Sequence, residues 1–146
     1  MDPKTTRGYL NNNPGNMDRG LPPWNGEIRD VAEAQNDCQR NELTHGRFCV
    51  FHDAIHGIRG MALNLRAYHD RLGCRSVRDY INRWAPPNEN NTESYIQRVA
   101  ERLNTTPDAP IDLAAAMPLL IDAIIRVECA GMPYEGTEIA DGIASA

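Results

Sequence analysis

From Asp53 onward the apolar residues recur at steps of three and four. Ile55, Ile58, Ala62, Leu65, Tyr68 and Leu72 form one stripe, which is the spacing of an amphipathic helix. Asp53 is placed to cap its start and Gly73 to end it. Ser76 with Asp79 three residues on has the form of a capping box, and Val77, Tyr80, Ile81 and Trp84 supply the stripe of a second helix stopped by Pro86-Pro87. A third helix is expected from Thr92 as cap, with Ile96, Val99, Ala100 and Leu103 inward, before the break at Thr105 to Pro110. Asp112 precedes the apolar stretch Leu113 to Val127. Pro118 has no N–H and fits most easily in a first turn, so the long helix is expected from about Pro118 to Cys129. Gly131 and Pro133 end it, and Ile139, Ile143 and Ala144 predict a short closing helix after Thr137.

The first third lacks this period. Asn11-Asn12-Asn13-Pro14-Gly15-Asn16 is a cluster of turn formers, followed by Gly20, Pro22, Pro23 and Asn25-Gly26. Trp24 and the run Phe48-Cys49-Val50-Phe51 favour an ordered loop over a tail, because side chains of that size are usually buried against something. Arg47 to Phe51 is expected to be a short strand, and Asp30 to Gly46, rich in Glu, Asn and Gln, reads as an expanded loop. The sum is an α+β domain, predominantly α-helical, over residues 1–146. A loop and strand region covers 1–51 and the helices cover 53–146.

Composition narrows the function classes. The chain has 146 residues, enough for one domain with a core, and its 41% hydrophobic and 24% charged residues are ordinary globular usage. A net charge of -5 and a pI near 5.3 argue against a general grip on nucleic acid, and anionic partners are not favoured. No apolar run approaches a membrane span, and the N-terminus lacks the apolar centre of a Sec signal peptide, so no membrane partner is expected. Cys38, Cys49, Cys74 and Cys129 form no C-x-x-C pair and read best as reduced thiols, with a Cys38–Cys49 disulfide open in an oxidising compartment. No cofactor is implied.

Glu128 is the most informative position. Leu120, Ile121 and Ile124 define a buried stripe, and the next step of four lands on this carboxyl. An apolar setting favours the protonated form, the condition for a general acid. The alternative is a surface glutamate paired with Arg126. The asparagine loop, with Asn12, Asn13 and Asn16, offers the neutral amides that sugar hydroxyl and acetamido groups require, against the plainer reading of turns alone. Trp84 can stack on a sugar ring, although its place on an apolar stripe makes core packing the simpler role. Tyr95 suits a wet surface, and Tyr134 lies in the segment Gly131-Met132-Pro133-Tyr134, which could admit a substrate to Glu128. His52 and His56 have the H-x-x-x-H spacing of zinc peptidases. Asp53 replaces the longer Glu of that motif, and as a helix cap it would leave His52 outside the helix. No serine-nucleophile, phosphate-cradling or dinucleotide motif is present.

The chain resembles a family of phage and prophage proteins described as virion structural proteins or lysozyme-like murein hydrolases. The resemblance is carried by Arg7-Gly8, Asn11-Asn12-Asn13-Pro14-Gly15-Asn16, Trp24-x-Gly26, Arg47-Phe48-x-x-Phe51 and Gly57-Ile58-Arg59. It continues through Ile81-Asn82-Arg83-Trp84-Ala85-Pro86-Pro87-x-Glu89-Asn90, Thr92, Tyr95 and Ala123-Ile124-Ile125-Arg126-x-Glu128. It implies a lysozyme-like domain that cleaves the β-1,4 bond between N-acetylmuramic acid and N-acetylglucosamine, with Glu128 as the acid. Peptidoglycan glycan strands, and other virion proteins, are the partners implied. The implied location is then the virion, or the host cytoplasm on synthesis, and the place of action the bacterial periplasm and cell wall. A weaker similarity to glucosaminidases and lytic transglycosylases has the asparagine loop and the glutamate helix in reversed order, as in a circular permutation. Where the family pattern implies Asn then Gly after the glutamate, this chain has Cys129-Ala130-Gly131. A hydrolase with two carboxylates needs a second acid about 5–9.5 Å away, and Asp18, Glu27 and Asp30 are available. A transglycosylase needs none, because the substrate's own 6-hydroxyl closes an anhydro ring. A non-catalytic virion component is the competing class, and a zinc hydrolase built on His52 and His56 the third.

Overall fold

The computed structural model describes residues 1–146 and contains seven α-helices and one small sheet. The helices are α1 (Arg7–Leu10), α2 (Asp37–His45), α3 (Ala54–Leu72), α4 (Val77–Trp84), α5 (Thr92–Arg102), α6 (Leu113–Glu128) and α7 (Glu138–Ala144). Strands β1 (Glu27–Ile28) and β2 (Val50–Phe51) pair antiparallel, with Glu27 opposite Phe51 and Ile28 opposite Val50. The domain is therefore mostly helical with a two-stranded sheet, and the expected strand over Arg47–Phe51 shortens to two residues plus a bridge between Asp18 and Phe48.

Helix α3 starts where Asp53 accepts from the His56 N–H and stops at Gly73, which takes the left-handed φ of 71°. It packs against α4, α6, α7 and β2, while α5 lies against α4 and α6. Ile58, Met61, Ala62 and Leu65 of α3 meet Tyr80 and Ile81 of α4, Ile96 and Val99 of α5, and Leu120, Ile121 and Ile124 of α6 in one core, which Met17, Cys49 and Phe51 of the first third also enter. Leu72, placed on the α3 stripe by its spacing, is 48% exposed because the last turn projects beyond the core.

Three boundaries differ from the sequence reading. Asp30 to Gly46 is not a loop. Val31–Glu33 forms a 3-10 turn and Asp37–His45 forms α2, capped by Asn36. The inward residues of α2 are Gln39 and Glu42, so the helix is held by hydrogen bonds and carries no apolar stripe. Gln39 Nε2 donates to the Leu10 carbonyl at 2.9 Å, and Glu42 accepts from Asn11 Nδ2 at 3.1 Å and from the Phe48 N–H at 3.2 Å. Helix α6 begins at Leu113, because the Asp112 carboxylate caps it through the Ala114 and Ala115 N–H groups. Pro118 thus lies inside the helix rather than in its first turn; the proline and Ala114, whose carbonyl loses its partner, are both exposed, so water can satisfy that oxygen. Asn91, not Thr92, caps α5, and the Thr92 hydroxyl donates instead to the Ala85 carbonyl at 2.5 Å.

The asparagine loop is ordered by β2 and α3. Asn13 is fully buried; its Nδ2 donates to the Met17 and Cys49 carbonyls, both at 3.0 Å, and its Oδ1 accepts from the Met17 N–H. Asn12 and Asn16 adopt left-handed φ of 54° and 49°, which asparagine tolerates better than most residues. The loop approaches α3 closely at Gly57, where a Cβ would stand 2.0 Å from the Asn12 carbonyl oxygen.

Candidate functional site

An open cleft of about 810 Å³ runs between the asparagine loop, α3 and the end of α4. One face of α3, marked by Arg59, Leu63, Asn64 and Tyr68, lines it, together with Gly15 to Asp18 and Gly20 to Asn25 of the loop. Trp84, Ala85, Pro86, Glu89 and Asn90 follow from α4, and Glu128 arrives from the end of α6. Trp84 is positioned twice over. Its Nε1 donates to the Gly15 carbonyl at 3.1 Å, and its ring meets Tyr68 edge-on at 6.2 Å. A side chain at residue 15 would collide with Trp84, since a Cβ there would lie 2.6 Å from Cζ2.

Glu128 is half-buried as the last residue of α6. Asn16 Nδ2 donates to its Oε1 at 2.9 Å and the Tyr95 hydroxyl to its Oε2 at 2.7 Å. Asn16 makes this bond while its own Oδ1 stays buried without a donor. Arg126, the cation nearest in sequence, binds Asp122 at 2.8 Å, and Asp122 also takes Arg102 at 2.9 Å. Glu128 has no ion pair, so the alternative of a surface glutamate neutralised by Arg126 does not hold. Burial first, and then the Glu128 carboxylate beside it, push the Tyr95 phenol well above its ordinary pKa, so Tyr95 remains a hydrogen-bond donor to this carboxyl.

The other expected site residues divide. Asn16 and Trp84 lie in the cleft. Tyr95 is buried, 6% exposed, and reaches Glu128 from within the core rather than from a wet surface. Asn13 is the buried clamp described above, and Asn12 Nδ2 donates to the Phe51 carbonyl at 3.0 Å and to Gln35, so neither faces the cleft. Tyr134 packs on Tyr9 with ring centroids 5.7 Å apart and its hydroxyl is buried, which removes it from any substrate path. Among the proposed second acids only Asp18 lines the cleft. The Glu27 side chain is fully buried, accepting from the Trp24 N–H and paired with Arg29, and Asp30 caps the 3-10 turn.

Sequence reasoning missed Tyr68, which it assigned to a core stripe, Glu89 and four arginines of the cleft. Only tertiary packing gathers these residues, which come from five separate segments. The histidines do not assemble a metal site: His52 precedes α3, His56 Nδ1 bonds Asp53 Oδ1 at 2.8 Å, and no group of three ligating side chains comes together. All four cysteines are free, and no helix is long and apolar enough to cross a membrane.

The fold and site define a mainly helical domain with an aromatic and amide-lined cleft into which one unpaired carboxyl projects. No family profile matches the sequence. The chain is 34% identical over 143 residues to Protein P5 of Pseudoalteromonas phage PM2, a match covering 95% of this chain and 81% of that protein, and it belongs to the same family as that phage protein.

Proposed function

We propose that this protein is a lysozyme-like, phage-type peptidoglycan-cleaving enzyme with Glu128 as its general acid. One observation carries the reading: the Glu128 carboxyl reaches an open cleft, held by two neutral donors and by no cation. A general acid must lie within hydrogen-bond reach of the oxygen it protonates, and Asn16 and Tyr95 hold this carboxyl in one place at the cleft. The surroundings suit a glycan. Trp84, Tyr68 and Trp24 supply ring faces, and Asn16, Asn25 and Asn64 supply amides.

In this reaction Glu128 donates its proton to the glycosidic oxygen as that bond breaks and positive charge develops at the anomeric carbon. The two other acids of the cleft, Asp18 and Glu89, share the Arg47 guanidinium, at 3.2 and 3.7 Å. Completion by the substrate's own 6-hydroxyl, which attacks the anomeric carbon and returns its proton to Glu128, needs neither of them. The product then carries an anhydro end and weighs one water less than a hydrolysis product.

The test uses purified sacculi and outer-membrane-permeabilised cells. Glu128→Gln keeps the shape of the side chain and removes the proton, and a loss of at least about 100-fold in clearing is expected. Equal clearing by the two proteins, or none by either, leaves the non-catalytic virion component, a class that kinship with a phage protein also accommodates.

A further inference from the structure

Charge is spread unevenly over this acidic chain. Its net charge is -5, yet four arginines, Arg7, Arg47, Arg59 and Arg83, line the cleft against three carboxylates. Two are engaged. Arg47 binds Asp18 and Glu89, and Arg7 stacks on Phe48 at 4.3 Å and lies 3.9 Å from Glu42. The other two meet no acid. Arg59 gives only its Nε, to the Ser145 carbonyl at 3.1 Å, so both terminal amino groups stay free. Arg83 makes no hydrogen bond or ion pair within the chain, and it stands close enough for its charge to act on the Tyr68 hydroxyl.

Placement matters as much as number. The α3 face from Arg59 to Tyr68 spans nine residue steps, about 13.5 Å of helix rise, and Arg83 stands at the Tyr68 end. Two free guanidinium groups thus flank the stretch of cleft that carries Trp84 and Asn64. A planar guanidinium fork matches a carboxylate in two parallel hydrogen bonds. A neutral sugar chain would leave both forks unanswered.

We propose that Arg59 and Arg83 recognise carboxylates carried by the glycan, so that the preferred substrate is a strand bearing lactyl-linked peptide stems rather than a bare N-acetylglucosamine polymer. This inference rests on the glycan-cleaving reading and names its substrate class. Net charge hides it, because acids elsewhere outweigh a locally cationic groove.

Binding in the Glu128→Gln protein separates the inference from catalysis. Two probes are titrated against tryptophan fluorescence: a neutral N-acetylglucosamine tetramer, and a peptidoglycan tetrasaccharide bearing its stem peptides. The peptide-bearing probe is expected to bind at least tenfold more tightly, with a preference that shrinks as salt rises. Arg83→Gln and Arg59→Gln should each cut the ratio of the two affinities by about fivefold, with circular dichroism and melting confirming that both variants fold. Equal affinity for the two probes, or ratios unaltered in both variants, overturns the inference. Clearing of sacculi that depends on Glu128 but shows no such preference removes this inference alone. Preference without clearing keeps the arginine site and removes the enzyme.

Discussion

Asn13 and Asn16 sit three residues apart and do opposite work. Asn13 is buried and answers three backbone groups, two of Met17 and one of Cys49 just before β2, whereas Asn16 turns its amide to the Glu128 carboxyl. Composition marks both as turn formers, because the asparagine side chain is the same in either role and only its burial differs. Asn13→Ala would leave the Met17 N–H and the Cys49 carbonyl without that partner, while the Met17 carbonyl keeps the Cys49 N–H at 2.9 Å. Buried groups so stranded cost about 1–3 kcal/mol each, so a loss of about 3 kcal/mol in urea unfolding is expected. A change below about 1 kcal/mol would show that the loop is not held by this clamp. Glu128 itself was legible as the end of an apolar stripe. Its two donors were not, because Asn16 is 112 residues away and Tyr95 33 residues away.

Among the elements, local chemistry was most readable where a cap coincides with an apolar period. The capping box of Ser76 and Asp79 and the Asp53 to Gly73 span of α3 are both present. Helix α2 escaped notice because its inward face is polar, and hydrophobic periodicity is silent about a helix held by Gln39 and Glu42. The end of α6 explains the displaced glycine after Glu128. Ala130 takes the left-handed φ of 54°, and the Gly131 N–H donates back to the Arg126 carbonyl at 2.9 Å, closing the helix with a Schellman turn. The turn survives with alanine at the position that glycine usually fills, at a cost of about 1 kcal/mol. Ala130→Gly should therefore raise stability by about 1 kcal/mol and the melting temperature by about 3 °C, measured by scanning calorimetry. A lower melting temperature would mean that the strain at Ala130 is already relieved.

Over the whole molecule the buried thiols set a pH limit. Burial is the largest cause in each case, pushing Cys49 up to about 12 and Cys129 to about 11. The unfolded chain sheds these protons from about pH 9 while the folded chain still holds them, so stability falls as pH rises from about 9 toward 12. Urea midpoints measured between pH 8 and 10.5 should decline, with a shallower decline in Cys49→Ala; parallel slopes would exclude Cys49 as a source. The sequence by itself determined the helix-dominated class, both ends of α3 and of α4, the stop of α6, the start of α7 and the acid at the end of α6, because caps and apolar periods act within a few residues. The tertiary structure alone decided which asparagine meets that acid, that Tyr95 is buried behind it, and that four arginines of an acidic chain share one cleft. Those relations join residues far apart in the chain, and no local pattern records a distance that only packing creates.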